Sequence, residues 1–128
     1  MKPINQKARA ILTKLLEGIA EPGDSRKLNN APKTYMALCV ECIAPQMFSL
    51  AHYGEQNGDP MRDPDVVLWI APSGEAFPVS FRNDYAGVDN EYVEFEEGAP
   101  VRVDKRQQAD LADFCATWFN NLAEQQGV

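Results

Sequence analysis

Histidine is nearly absent from this chain, cysteine is scarce, and lysine and arginine almost vanish from its middle. A single histidine, His52, stands in 128 residues. A general acid–base mechanism of the usual kind must therefore run through it or through a strongly shifted carboxylate. Three cysteines, an odd number, do not make a paired disulfide framework and fit a reducing compartment. No apolar run nears the roughly 18 residues that cross a bilayer. Met-Lys-Pro-Ile-Asn opens an amphipathic segment with no signal-peptide core, so the expectation is a cytoplasmic protein that engages no membrane. A Gly-x-Ser-x-Gly elbow, a phosphate-cradling glycine loop and a dinucleotide fingerprint are also missing, which removes the signatures of three common enzyme chemistries.

Cations are distributed unevenly. Residues 1–33 hold seven Lys/Arg against three Asp/Glu, residues 34–101 hold two against twelve, and residues 102–128 hold three against four. The middle segment thus carries a formal −10 within a chain of −7. Such a balance argues against direct binding of nucleic acid, which needs concentrated Lys and Arg to displace counterions. It suits a protein partner with a basic surface.

What is present is the composition of a folded globule. Hydrophobic residues make up 45%, with six Phe, four Tyr and two Trp, and 128 residues suffice for about one domain with one core. Residues 1–20 read as a helix, with Asn5 as cap and Ile4, Ala8, Ile11, Leu12, Leu15 and Ile19 at helical spacing. Residues 21–33 are turn formers without periodicity and read as a loop. Tyr35 to Ile43 passes as a helical stripe or as a strand apolar on both faces. The Ala44-Pro45-Gln46 turn and the alternating Met47 to Tyr53 run favour two paired strands. Gly54 to Asp65, with two prolines and Asn-Gly, reads as a loop. Val66 to Ile70 reads as a central strand, and Phe77 to Arg82 as a half-exposed one in which Pro78 asks for an edge or a strand end. Asn83 to Asn90 reads as a polar loop and Glu91 to Phe95 as a short strand. Residues 104–125 form the clearest element, a helix begun by Asp104 with Gln107. Leu111, Phe114, Cys115, Trp118 and Leu122 lie along one face that must be covered. The expected architecture is α+β: an antiparallel sheet of four or five strands over residues 34–103, flanked by an N-terminal and a C-terminal helix in two layers.

Three groups carry candidate chemistry. Cys39-Val-Glu-Cys42, Cys115 and His52 total four zinc-ligand types, but in a strand Cys39 and Cys42 point to opposite faces and Cys115 belongs to a helix stripe, so core thiols explain them better. Glu55, Asp59, Asp63 and Asp65 gather hard-cation ligands in one segment without a calcium-loop spacing, and Asp-Pro twice is first of all turn chemistry. His52 with Glu55, Asp59 and Asp65 would be the machinery of a small metal-dependent enzyme, the alternative reading. Glu94, Glu96 and Glu97 are the densest carboxylates of the acidic segment and candidates for binding. No catalytic residue, metal or other cofactor is assigned.

The run from Phe48 through His52-Tyr-Gly-Glu-Gln-Asn-Gly-Asp59 to Trp69, with Phe77-Pro-Val-Ser-Phe81 and Asp84-Tyr-Ala-Gly87, resembles a family of small uncharacterised bacterial domains carried on plasmids, integrative elements and phage. The resemblance covers roughly residues 34–125 and implies a bacterial cytosolic accessory protein; it contributes no catalytic residue. Together these readings lead to a non-enzymatic acidic interaction domain that binds a basic protein partner.

Overall fold

Residues 1–29 and 36–128 are described by the structure, a computed structural model. Helix α1 spans Gln6–Leu15. Eight strands follow: β1 (Ser25–Leu28), β2 (Leu38–Ala44), β3 (Met47–Gln56), β4 (Asp59–Ile70), β5 (Ala76–Asn83), β6 (Val88–Glu91), β7 (Val93–Glu96) and β8 (Ala99–Val103). Helix α2, Lys105–Gln126, ends the chain's ordered elements. Strands β1 to β6 form one antiparallel sheet in sequence order, and β7 pairs with β8 in a separate hairpin. The α+β class and the two flanking helices are as the sequence implies; the strand count is larger, and Tyr35 lies outside the described residues.

Each helix starts where its cap dictates. The Asn5 side chain accepts from the Ala8 amide and the Asp104 side chain from the Gln107 amide, each satisfying a first-turn donor that has no partner within its helix. Gly127 closes α2 in the left-handed conformation at φ 71°. Arg26 on β1 donates to the Lys14 and Leu15 carbonyls at the end of α1, where a cation also meets the negative end of the helix dipole.

Both helices lie on one face of the sheet. Leu12 and Leu15 of α1, with Cys115, Phe119 and Leu122 of α2, are fully buried against Leu38, Val40, Leu50, Val66 and Leu68. Gln108 is the polar residue that locks this layer. Buried completely, it accepts from the Lys2 amide at 2.7 Å and donates to the carbonyls of Lys2 (2.8 Å) and Pro78 (3.1 Å). On the opposite face the β7–β8 hairpin forms a partial third layer where two were expected. Val93, Phe95 and Val103 point inward onto Met47, Val67, Trp69, Phe77 and Val79.

Several expected loops are strands. In the segment 54–65, strand pairing continues past both prolines, with one bulge. Pro60 pairs with Glu55 next to the turn, and Asp63 and Pro64 fall where two residues of β4 oppose the single His52 of β3, a bulge that removes the need for a proline N–H in the ladder. Asn57 and Gly58, at φ 53° and 85°, form the two-residue turn with two positive φ angles that suits the twist of a hairpin. Residues 25–28 of the expected 21–33 loop pair with β2, and residues 88–90 of the expected 83–90 loop pair with β5. Pro78 lies in an interior strand, yet β6 stops at Glu91 opposite Ser80, so at Pro78 the strand is locally an edge. A register shift at Val79 adjoins it. Phe114, expected on the buried face of α2, is 40% exposed, with its ring against Phe81 and Trp118.

Candidate interaction surface

The acidic segment divides into carboxylates that are matched and carboxylates that are not. Asp84 pairs with Arg62 at 2.9 Å, Asp89 and Glu91 with Arg82 at 2.8 and 3.0 Å, and Glu94 with Arg102 at 3.2 Å. The Arg62 guanidinium and backbone amide, both donating to Asp84, hold that carboxyl below its ordinary pKa, and the same contact raises Arg62. Asp63 accepts from Asn83 and Glu75 from Ser73. Among the described residues Glu41, Glu55, Asp59, Glu96 and Glu97 receive no such contact. Glu96 and Glu97 are both exposed and adjacent, at the tip of the β7–β8 hairpin.

That tip is unusual in its backbone as well as its charge. Glu97 and Gly98 both have positive φ, 51° and 78°, in the two-residue loop between the paired Glu96 and Ala99. Such loops favour asparagine then glycine, as the Asn57–Gly58 turn of the same protein shows. A glutamate in the left-handed region costs stability that asparagine largely avoids.

The residues of the alternative catalytic reading are not brought together. His52 is buried on the helix side, its Nδ1 3.0 Å from the Ala37 carbonyl and its ring edge-on to Trp118. Asp65 is buried on the other side of the sheet, where its Oδ1 accepts from the Ser49 hydroxyl at 2.6 Å. Glu55 and Asp59 flank the exposed Asn57–Gly58 turn; Tyr85 donates to the Glu55 backbone carbonyl, not to its carboxylate. No three His, Cys, Asp or Glu residues converge as a metal-holding group among the described residues.

The cysteines separate as strand alternation requires. Cys42 and Cys115 are buried in the helix-side core, whereas Cys39 is half-buried on the hairpin side, which corrects the expectation of three core thiols. Burial raises the pKa of Cys42 and pushes that of Cys115 up to about 12. Cys39 belongs to a row, polar except at Ala51, that crosses the sheet through successive register partners, Lys27, Cys39, Ala51, Asp65, Arg82 and Asp89. Tyr53 stands beside this row, its phenol pKa raised first by burial and then by Asp65, Cys39 and Glu41.

Trp69 is the surface feature that sequence reasoning missed. It lies in the strand read as central, yet it is only partly buried, and it lines a groove of about 700 Å³ where three turns meet. The signal in the sequence was a proline in or beside each of three turns: Pro45, Pro72 and Pro100, the last the second residue of β8.

The family described as Domain of unknown function (DUF6908) matches residues 6–128. No curated protein and no solved structure matches the chain.

Proposed function

Because the chain belongs to the DUF6908 family, whose description names no activity, we propose from its surface that it is a non-enzymatic interaction domain whose acidic β7–β8 hairpin receives a protein partner with a basic surface. The observation that carries this reading is the pair Glu96 and Glu97: exposed, adjacent and without a cation among the described residues, on a turn whose backbone would be better served by asparagine. Residues held in sparsely populated backbone regions persist where function selects them, and here the selected group is a carboxylate. Glu94, the third carboxylate of the sequence-based site, already holds Arg102 and contributes less free charge. A role as accessory factor of a bacterial mobile element draws its support from the resemblance of residues 34–125 alone.

The test is charge reversal at the unmatched positions. Glu96→Lys with Glu97→Lys leaves the Glu94–Arg102 pair intact and keeps a non-glycine residue at position 97. With a partner captured from bacteria that carry this gene, wild-type association should slow steeply as ionic strength rises, and the double variant should associate slowly at low salt. Equal low-salt association rates for the two proteins would remove the hairpin from the binding surface.

A further inference from the structure

We propose that the groove around Trp69 is the anchoring pocket of this interaction: it takes one apolar side chain from a basic segment of the partner, while Glu96 and Glu97, beside one wall of the groove, hold cations next to that anchor. The inference rests on the acidic-hairpin reading and adds to it a place, a geometry and a second recognition element.

Trp69 forms the floor. Its ring lies 5.8 Å from Phe77 and 5.4 Å from Phe95, centroid to centroid, and is braced on two sides. Pro45 and Gln46, Ala71 and Pro72, and Gly98 to Pro100 line the walls. Two of these walls are tied in place: the Ile70 amide donates to the Gln46 carbonyl at 2.9 Å and joins the first turn to β4, and the Ala71 amide donates to the Glu75 carbonyl within the second turn. A pre-organised apolar cleft with an aromatic floor is the form that interface anchors fill, because little conformational freedom is lost when a side chain enters.

The occupant follows from what the walls lack. Gln46 and the Trp69 indole N–H are the polar side-chain groups among the lining residues, whereas small-molecule sites orient their ligands with several placed polar groups. Strand addition along β8 is disfavoured, since Pro100 offers no amide to a new neighbour. The rim decides the charge. The three turns contain no Lys or Arg in residues 44–47, 70–76 and 96–100, but do contain Glu75, Glu96 and Glu97. Arg9 reaches the second turn from α1, donating to the Gly74 carbonyl, and leaves Glu96 and Glu97 unmatched. An apolar pocket in an acidic rim complements a cationic segment with one apolar residue.

The probe is the synthetic peptide Lys-Arg-Leu-Lys-Arg, compared with Lys-Arg-Ser-Lys-Arg and Glu-Asp-Leu-Asp-Glu. Binding is followed at low salt by calorimetry and by tryptophan emission, which reports Trp69 because Trp118 is buried on the opposite face. The leucine-bearing basic peptide should bind saturably and shift the emission, with affinity roughly tenfold or more above both controls. Ala99→Phe, at an exposed wall position, should cost the leucine peptide that advantage while leaving the melting temperature near wild type. Equal binding of the two basic peptides, lost in the Glu96→Lys, Glu97→Lys variant but not in Ala99→Phe, would overturn the groove and leave the acidic hairpin standing. Equal binding of the acidic leucine peptide, or no binding of either basic peptide, would overturn both.

Discussion

Replacing Glu97 by asparagine should make the protein more stable while weakening the docking assigned to the same turn. At φ 51° the glutamate occupies the left-handed region, which costs an ordinary L-residue roughly 1–2 kcal/mol and asparagine much less. No described residue donates to the Glu97 carboxylate, and it lies next to the like-charged Glu96, so no lost contact offsets the gain. The net stabilisation should be about 0.5–1 kcal/mol, or roughly 2–5 °C in melting temperature for a domain of this size. Urea unfolding followed by tryptophan fluorescence measures it, with an unchanged slope showing that the unfolded state is not involved. The gain should persist at high salt, because most of it is conformational and not electrostatic. The reciprocal change, Asn57→Glu in the β3–β4 turn, supplies the control and should cost a similar amount. If Asn57→Glu is destabilising and Glu97→Asn is neutral or worse, Glu97 has a structural partner, and the argument that its carboxylate is free for binding fails.

Trp118→Ala should cost roughly 3–5 kcal/mol, since only 8% of Trp118 is exposed and it contacts His52, Phe114 and Phe119; a denaturation midpoint within error of wild type would detach α2 from the core. Gly54→Ala should lose about 1 kcal/mol, because the new methyl would overlap the Tyr85 hydroxyl, sit 3.1 Å from its ring and break its hydrogen bond to Glu55. In a Tyr85→Ala background the same substitution should be neutral or slightly stabilising, and a cost that survives there would place the conflict in the backbone. Thiol titration of the native protein at pH 8 should show one fast group, Cys39: Cys42 and Cys115 are buried with raised pKa values and supply little thiolate below them. Three equally fast thiols would contradict the packing of β2 against the helices.

Elements whose pattern expresses burial were legible. The stripe Leu111, Cys115, Trp118 and Leu122 and the alternation through Met47 to Tyr53 follow from packing, and both appear where expected. Phe114 has the spacing of that stripe but lies at its margin, where an aromatic cluster holds it half in solvent. Elements stabilised chiefly by ladder hydrogen bonds were not legible. The outer halves of β3 and β4 are polar, β4 carries Pro60 beside the turn and Pro64 in a bulge, and nothing local distinguishes them from a loop. The residues of the alternative catalytic reading lie apart for a related reason. His52, Glu55, Asp59 and Asp65 are close in sequence, but register sets His52 and Asp65 on opposite faces, and no composition rule reports register. Glu96 and Glu97 were legible as charge alone; that they are unmatched depends on where Arg62, Arg82 and Arg102 come to rest.

The contact of Gln108 with Lys2 joins residues 106 positions apart, and it orders events in time. On a chain growing from its N-terminus, the six-stranded sheet is complete by Glu91, yet the side of it that buries Leu38, Leu50 and Val66 has no cover over much of its width until α2 has been made. The Lys2 amide and carbonyl must wait for this helix before they find their partner, although Ile4 can already donate to the Ala76 carbonyl. Through that interval the nascent sheet presents a bare apolar face, so the hazard to this protein falls before its folding is finished, and the helix that arrives last removes it.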